Sequence, residues 1–285
     1  MEVIVGKYQG FCSGVSNTYK RALEEVKKGK IYCLGKIIHN ELVIKELEDL
    51  GMITVDNIED VKDNSRLIFR AHGEPLSSYE YAKEHNIEVV DLTCGKVRVI
   101  HNKVKDKKKD YFIVIIGKKS HPEIIGTIGY ALPNYYVIEN EEDIDNLKQE
   151  IEKTGLNKVF VISQTTFSSS KFDLFKEKIE KSLKDFEIIF DKSICESTEN
   201  RQNECLELSK KCDIMLVLGG ENSSNTRELY NIAKKNTDKV YYVSDLNDIS
   251  KIEIKDKDSV IGIVAGASTP NSFIELVKDK VRVIN

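Results

Sequence analysis

At 285 residues the chain is long enough for two or three domains, and its 40% apolar and 32% charged residues are ordinary for a globular protein. No apolar stretch approaches the ~20 residues that span a bilayer. A net charge of −4 is not typical of a protein that binds nucleic acid. The N-terminus has the pattern of a strand and not of a signal peptide, and six cysteines without an export signal favour a reducing compartment. We therefore expect a cytoplasmic protein with no membrane and no nucleic-acid partner.

Short β-branched runs alternate with longer amphipathic segments, which is the βαβ pattern of mostly parallel sheets covered by helices. Three strand-like runs end at a cysteine that is followed by a helix-like stretch. These runs are MEVIVGKYQGFC ending at Cys12, IEVVDLTC ending at Cys94 and FEIIFDKSIC ending at Cys195. A thiol at a helix N-terminus has its thiolate favoured by the helix dipole, and thiolate is the form that binds metals. Three such thiols suggest a metal centre with one position open for chemistry.

The segments that follow each cysteine also repeat. A β-branched run ends in glycine 23, 23 and 24 residues later, at Gly35, Gly117 and Gly219. A polar loop, a helical pattern, a strand, an acidic segment and a last apolar run follow in each case. Because this order occurs three times, we predict three similar α/β lobes, at 13–94, 95–193 and 194–280. We associate strand 1–12 and the C-terminal tail 281–285 with the first lobe.

Ligands of open α/β sheets bind outside the carboxyl ends of the strands, where the three cysteines and the polar loops are expected to lie. A pseudo-threefold arrangement of the lobes, with those ends inward, would bring these residues into one central cavity. The three sulfur atoms would then lie within about 7 Å of one another, close enough to bind one metal centre.

The polar loops carry donors that suit an anion. Three histidines directly follow strands: His39, His72 and His121. Imidazole together with the amides of a helix N-terminus makes an anion site. Hydroxyl and amide side chains begin two further helix-like segments, with Ser223, Ser224 and Asn225 at one and Ser268 at the other. Many donors and few fixed positive charges favour a compact anionic head group such as a phosphate.

Each of these signals also has a structural interpretation when taken alone. A serine, threonine or asparagine before a helix is usually an N-cap, and an isolated cysteine is usually a small buried hydrophobe. We apply the second interpretation to Cys33 and to Cys205 and Cys212, which are seven apart on one predicted helix. His85 and His101 have the pattern of surface residues on helical segments. The other signals gain weight because they occur at matching places in three repeats.

Nine motifs in this order resemble those of the 4-hydroxy-3-methylbut-2-enyl diphosphate reductase family, the iron–sulfur enzymes that end the methylerythritol phosphate route to isoprenoids. They are GFCSGV, GKIIHN, RAHGEP, DLTCGKV, SHPEIIG, SQTTFS, SICEST, GGENSSNT and AGASTP, from residue 4 to about 271. The one departure is a serine before His121, where the family pattern has glycine.

The resemblance implies a three-lobed α/β fold around a 4Fe–4S cluster with three protein ligands and one open iron. The implied ligands are Cys12, Cys94 and Cys195. The implied contacts to the substrate diphosphate are His39, His72, His121, Ser223, Ser224, Asn225 and Ser268, and Thr165 is implied as a further contact to the substrate. The resemblance further implies that Glu123, with Thr165, delivers protons while the substrate hydroxyl is bound at the open iron. Since the chain has no G-x-G-x-x-G fingerprint and no flavin motif, the two electrons would come from an external donor such as a ferredoxin or flavodoxin.

Two other classes stay open at this point. A cluster with one open iron could serve a hydro-lyase that eliminates water from an anionic substrate without external electrons, and the electron stoichiometry separates the two. A binding or sensing protein could instead hold a structural metal such as zinc. Structural zinc sites normally have four ligands in paired C-x-x-C spacing, and the sequence has no such pair.

Overall fold

The computed structural model describes residues 2–254 and 258–283 of the chain. Within these residues, twelve strands form three parallel sheets of four strands each. The first sheet contains β2 (Ile31–Leu34), β3 (Met52–Val55), β4 (Arg66–Phe69) and β5 (Glu88–Asp91). The second contains β6 (Phe112–Ile116), β7 (Tyr135–Ile138), β8 (Lys158–Ser163) and β9 (Glu187–Asp191). The third contains β1 (Glu2–Val5), β10 (Ile214–Leu218), β11 (Lys239–Val243) and β12 (Val260–Ala265).

Ten α-helices connect the strands in the described residues. They are α1 (Ser13–Val26), α2 (Glu41–Asp49), α3 (Leu76–Glu84), α4 (Gly95–Lys107), α5 (Pro122–Ala131), α6 (Glu142–Glu152), α7 (Ser169–Ser182), α8 (Glu196–Ser209), α9 (Ser224–Lys234) and α10 (Asn271–Val283). None of the helices in this part of the chain has the length and apolar character needed to cross a bilayer.

All three sheets have the same strand order. The orders are β3-β2-β4-β5, β7-β6-β8-β9 and β11-β10-β12-β1. The repeated glycine follows the second strand of each order, and its N–H donates to the carbonyl of the last residue in the neighbouring edge strand. The N···O distances are 2.7 Å for Gly35, 2.9 Å for Gly117 and 3.1 Å for Gly219. The predicted α/β class with three similar repeats is therefore confirmed.

The position of the first strand corrects one expectation. We associated strand 1–12 with the first lobe, but β1 pairs with β12 in the third sheet, with Glu2 opposite Val260 and Val5 opposite Ile263. The reason lies in the repeat itself. β5 and β9 are each the last strand in the order of their sheet, and each is followed by a cysteine. β1 is likewise followed by a cysteine and is therefore their equivalent. It supplies the fourth strand of the third sheet, which the C-terminal repeat lacks among the described residues. The predicted tail 281–285 is described only to Val283, within α10. Its residues 284–285 lie outside the described part, and the lobe boundaries stay a prediction.

The chain divides into two compact units. One, the third-sheet unit, comprises the residues up to Ser16, Ile38–Lys45 and the chain from Cys195 onward. The other, the two-sheet unit, comprises Asn17–Ile37 and Glu46–Ile194 and holds the first and second sheets.

Two central strands, β6 and β10, are apolar at every position because helices cover both faces of their sheets. In β10, Ile214, Leu216 and Leu218 pack on one face against α10, while Met215 and Val217 pack on the other with apolar residues of α8 and α9. The side chains of β6 also point alternately to the two faces of their sheet. One face is covered by α6 and α7, and the other by α4 and α5.

Three cysteines belong to this core. Cys33, Cys205 and Cys212 are buried, which confirms that they are small hydrophobes of the interior. The expectation that Cys205 and Cys212 share a helix is wrong, because α8 ends at Ser209 and Cys212 lies in the turn before β10. Burial raises the pKa of both the Cys33 and Cys205 thiols to about 12, so these two thiols stay protonated.

Candidate active site

The other three cysteines occupy the same local position in the three repeats. Each follows the last strand of a sheet order and directly precedes a helix, so that Cys12 leads into α1, Cys94 into α4 and Cys195 into α8. Each carbonyl accepts a hydrogen bond from the amide four residues on, at 2.8 Å for Cys12, 2.9 Å for Cys94 and 3.0 Å for Cys195. All three side chains are partly exposed and none is in a disulfide. Partly exposed thiols at helix N-termini are a donor set that fits an iron–sulfur group.

Glu123 has the environment of a group that holds a proton near neutral pH. It lies in the first turn of α5 with only 3% of its surface exposed. Its Oε1 accepts a hydrogen bond from the Thr165 amide and its Oε2 accepts one from the Thr165 hydroxyl, both at 2.7 Å. Burial raises the pKa of Glu123 to about 7, against the opposing effect of these two hydrogen bonds. The structure thus brings together Glu123 and Thr165, the two residues expected to move protons.

The neighbouring histidine has one ring nitrogen fixed as an acceptor. His121 is the N-cap of α5, and its Nδ1 accepts a hydrogen bond from the Glu123 amide at 3.1 Å. A neutral ring with Nδ1 as acceptor carries its proton on Nε2, where it can be donated to a ligand. The ring centroid of His72 lies 5.4 Å from that of His121, with the rings nearly perpendicular. His72, His121, Glu123 and Thr165 therefore form one group within the two-sheet unit.

Two glycines allow the His72 loop to lie close to α5. A Cβ on Gly126 would stand 2.8 Å from the carbonyl oxygen of Gly73, and a Cβ on Gly129 would stand 2.4 Å from the Cβ of Pro75. Any side chain larger than hydrogen at these positions would push the loop away from the helix that carries His121 and Glu123.

His101 packs against the His72 loop, a role that the sequence did not indicate. We expected a surface residue, but His101 on α4 is 3% exposed and stacks on Tyr130 with ring centroids 4.2 Å apart. Its Cε1 would lie 2.5 Å from a Cβ on Gly73, so its ring packs under the backbone next to His72. Burial lowers the pKa of His101 to about 4, and the ring is therefore neutral at physiological pH. His85 is a surface residue as expected, paired with Asp63.

The third-sheet unit brings together the second group of predicted contacts. The hydroxyl of Ser268 donates to the carbonyl of His39 at 3.3 Å, and the side-chain amide of Asn40 donates to the carbonyl of Ser268 at 3.1 Å. Gly220 lies so close that an added Cβ would stand 2.6 Å from the His39 carbonyl oxygen. Asn40 was missed in the sequence, although an asparagine before ELVIKELED is a recognisable N-cap.

The first turn of α9 offers donors to a ligand. Ser223 is its N-cap and accepts a hydrogen bond from the Thr226 amide at 3.3 Å, and Ser224 is the first residue of the helix. Asn225 is 3% exposed, and neither its Nδ2 nor its Oδ1 has a hydrogen-bond partner among the described residues. A buried amide without partners is costly unless a ligand completes its hydrogen bonds. Capping explains Ser223, but it does not explain Asn225.

A buried carboxyl group with a raised pKa and partly exposed thiols at helix N-termini are each typical of enzyme active sites. Comparison with known proteins gives the family. The model of the LytB protein family matches residues 3–282, and the chain belongs to that family.

Curated relatives and solved structures agree with this membership. A protein of Caldanaerobacter subterraneus subsp. tengcongensis named 4-hydroxy-3-methylbut-2-enyl diphosphate reductase is 37% identical over 288 residues, which cover 99% of this chain and 97% of the relative. One of the same name from Aquifex aeolicus is 34% identical, covering 100% of this chain and 97% of the relative.

The structure of the E-1-hydroxy-2-methyl-but-2-enyl-4-diphosphate reductase from Plasmodium falciparum is similar with a TM-score of 0.88 at 32% identity, covering 99% of this chain and 87% of that one. A second solved structure, of an (E)-4-hydroxy-3-methyl-but-2-enyl diphosphate reductase, has a TM-score of 0.67 at 33% identity and covers both chains fully. The chain is therefore an enzyme of an oxidoreductase family, and the family resemblance stated from the motifs is confirmed.

Proposed function

We propose that this protein reduces 4-hydroxy-3-methylbut-2-enyl diphosphate to isopentenyl and dimethylallyl diphosphate. The reaction takes up two electrons and two protons and releases the allylic hydroxyl as water. The observation that carries the proposal is the equivalent placement of Cys12, Cys94 and Cys195 before three helices, in a chain whose relatives bear the name of that reductase. We assign these three thiols as the ligands of a 4Fe–4S cluster with one open iron.

When bound, the cluster would supply Lewis acidity at the allylic oxygen and the path for two electrons. The protein's own residues hold the substrate, exclude water and supply protons. The two electrons come from an external carrier such as a ferredoxin or flavodoxin, and the cytoplasm is the expected location.

Glu123 is the proposed proton source. An acid that works near neutral pH needs a pKa near that of the solution, and the buried Glu123 carboxyl meets this condition. Its contact with the Thr165 hydroxyl gives a path for a proton, because a hydroxyl can accept one proton while it donates another. We assign Glu123 and Thr165 as the catalytic pair, with Thr165 also a substrate contact.

The diphosphate would be held by neutral donors. The histidines can donate through ring N–H groups, and the amide of Asn225 is buried with no hydrogen-bond partner in the described part of the chain. The N-terminus of α9 favours anions through its backbone amides, and it carries the hydroxyl groups of Ser223 and Ser224. The proposed contacts are His39, His72, His121, Thr165, Ser223, Ser224, Asn225 and Ser268.

Iron and acid-labile sulfide analysis of anaerobically purified protein tests the assignment of the ligands. We expect close to four irons and four sulfides per chain in a protein with an intact cluster. Serine variants of Cys12, Cys94 and Cys195 should each lose most of both, because a hydroxyl is a much poorer ligand for iron–sulfur centres. Cys205→Ser is the matched control and should keep them, since Cys205 is buried in the core. Zinc without sulfide in the wild-type protein would reject the cluster.

A further inference from the structure

Arg201 is a buried arginine between the segments that carry two of the three thiols. It lies on α8, the helix that begins directly after Cys195, and is 5% exposed. Its Nη2 donates to the carbonyl of Gly10 at 2.8 Å, two residues before Cys12. Its Nη1 donates to the carbonyl of Ser197 at 3.1 Å and to the Ser197 hydroxyl, two residues after Cys195. One guanidinium thus bonds to the backbone next to both cysteines, within the third-sheet unit.

Glu204, one turn further along α8, holds the other end of the same segment. Its Oε1 accepts a hydrogen bond from the Lys7 amide at 2.5 Å, and its Oε2 accepts one from the Tyr8 amide at 3.0 Å. A Cβ on Gly6 would stand 2.6 Å from Glu204 Oε2, so any side chain at this position would displace the Glu204 carboxylate. The segment from Gly6 to Gly10 is therefore attached to α8 at both ends, immediately before Cys12.

The charge of Arg201 needs a partner. A buried guanidinium is costly unless negative charge compensates it, and the hydrogen-bond acceptors of Arg201 are neutral oxygens. Burial lowers the pKa of Arg201, while Cys12, Cys195 and Glu204 act in the opposite direction. Its Nε is buried and has no acceptor among the described residues. Cys12 and Cys195 as thiolates, together with Glu204, are therefore the groups whose negative charge can offset that of Arg201.

We propose that Arg201 is a positioning residue for the metal-binding thiols: with Glu204 it fixes the Cys12 segment against α8, and it places a positive charge beside Cys12 and Cys195. This proposal rests on the proposed function in one respect, namely that these two thiols are cluster ligands. The attachment of the segment to α8 does not depend on that assignment.

Hydrogen exchange of the anaerobically purified full chain tests the attachment. In Glu204→Gln only one oxygen remains to accept from the Lys7 and Tyr8 amides, and in Arg201→Gln the bond to Gly10 is lost. Each variant should speed exchange of the 6–12 peptide by about tenfold, the effect of about 1.4 kcal/mol, with strands β10 and β12 unchanged. Arg282→Gln removes an exposed arginine from α10 and is the matched control. Unchanged exchange in 6–12, or faster exchange everywhere in both variants, would overturn the attachment.

The reduction potential of the cluster tests the charge. Removing a nearby positive charge makes an added electron less stable, so Arg201→Gln should lower the ratio of reduced to oxidised cluster at a fixed potential by about tenfold. Arg201→Lys keeps the charge but not the fork of donors, and should restore the potential while exchange in 6–12 stays fast. Equal potentials for wild type and Arg201→Gln would contradict the role of the charge. If Cys195→Ser keeps its cluster, the ligand assignment fails, whereas the exchange result still decides the attachment.

Discussion

The substitution Glu123→Gln separates the acid role of Glu123 from its structural role. In the wild type both carboxyl oxygens accept hydrogen bonds from Thr165, each at 2.7 Å. A glutamine can keep both contacts, because its oxygen accepts from the amide and its NH₂ donates to the hydroxyl, which can accept as well as donate. The variant should therefore keep its cluster and bind substrate nearly normally. It lacks the transferable proton, so turnover should fall by about 10²–10⁴, the range for lost general acid catalysis.

The same substitution should raise stability at high pH. The pKa of Glu123 rises from its ordinary value of 4.5 to about 7 in the folded protein, so above pH 4.5 the unfolded chain ionises while the folded protein does not. The wild type therefore loses stability as pH rises to about 7, by about 3 kcal/mol at about 1.4 kcal/mol for each pH unit. Glu123→Gln has no such loss. Its advantage in free energy of unfolding should be close to zero below pH 4.5 and about 3 kcal/mol at about pH 8.

Turnover with excess artificial reductant and denaturant unfolding, each followed from about pH 5 to about pH 8, measure the two effects. Wild-type turnover should fall above about pH 7 as Glu123 ionises, and the variant should lack this limb of the profile. Near-wild-type turnover in Glu123→Gln would remove Glu123 from the mechanism. A variant no more stable than the wild type at pH 8 would refute the account of its burial.

Three further substitutions test the rest of the site. Asn225→Leu should raise the free energy of unfolding by about 1–2 kcal/mol, because it removes a buried amide that has no partner among the residues the structure describes. It should also weaken binding of inorganic diphosphate in calorimetry. Gly129→Ala should cost about 1–3 kcal/mol in denaturant unfolding, since its Cβ would meet Pro75 at 2.4 Å. Gly95→Ala is predicted to be neutral or stabilising in the same assay, because nothing lies within 4 Å of its added Cβ in the first turn of α4.

Two results would contradict the roles assigned to Asn225 and Gly129. If Asn225→Leu destabilises the protein and leaves diphosphate binding intact, Asn225 is structural. If Gly129→Ala is as well tolerated as Gly95→Ala, the close packing of the His72 loop on α5 is not needed for folding.

The strands, the helices that follow them and the position of three cysteines directly before helices could be predicted from the sequence, because they depend on local periodicity and on repetition. The second sheet is an example: the run FIVII, its closing glycine and the helix at Pro122 all lie where their patterns place them. The pairing of β1 with β12 was missed because strand pairing depends on contacts between distant parts of the chain.

The burial of certain polar residues also could not be predicted from local sequence patterns. His101 has polar neighbours in HNKVKDKKK, yet it is buried because α4 turns that face toward Gly73 and Tyr130. Arg201 and Glu204 lie in the polar stretch ENRQNE, where nothing local distinguishes them from solvated charges. Their partners at Lys7, Tyr8 and Gly10 are almost two hundred residues away in sequence.

The most direct test of the proposed reductase is the amount of reductant consumed for each molecule of diphosphate product. Anaerobic protein is titrated with a one-electron reductant in the presence of 4-hydroxy-3-methylbut-2-enyl diphosphate, and both products are quantified. We predict two electrons for every molecule of isopentenyl or dimethylallyl diphosphate formed, and no turnover without reductant. Loss of water from the substrate without consumption of reductant would contradict this account and indicate a hydro-lyase.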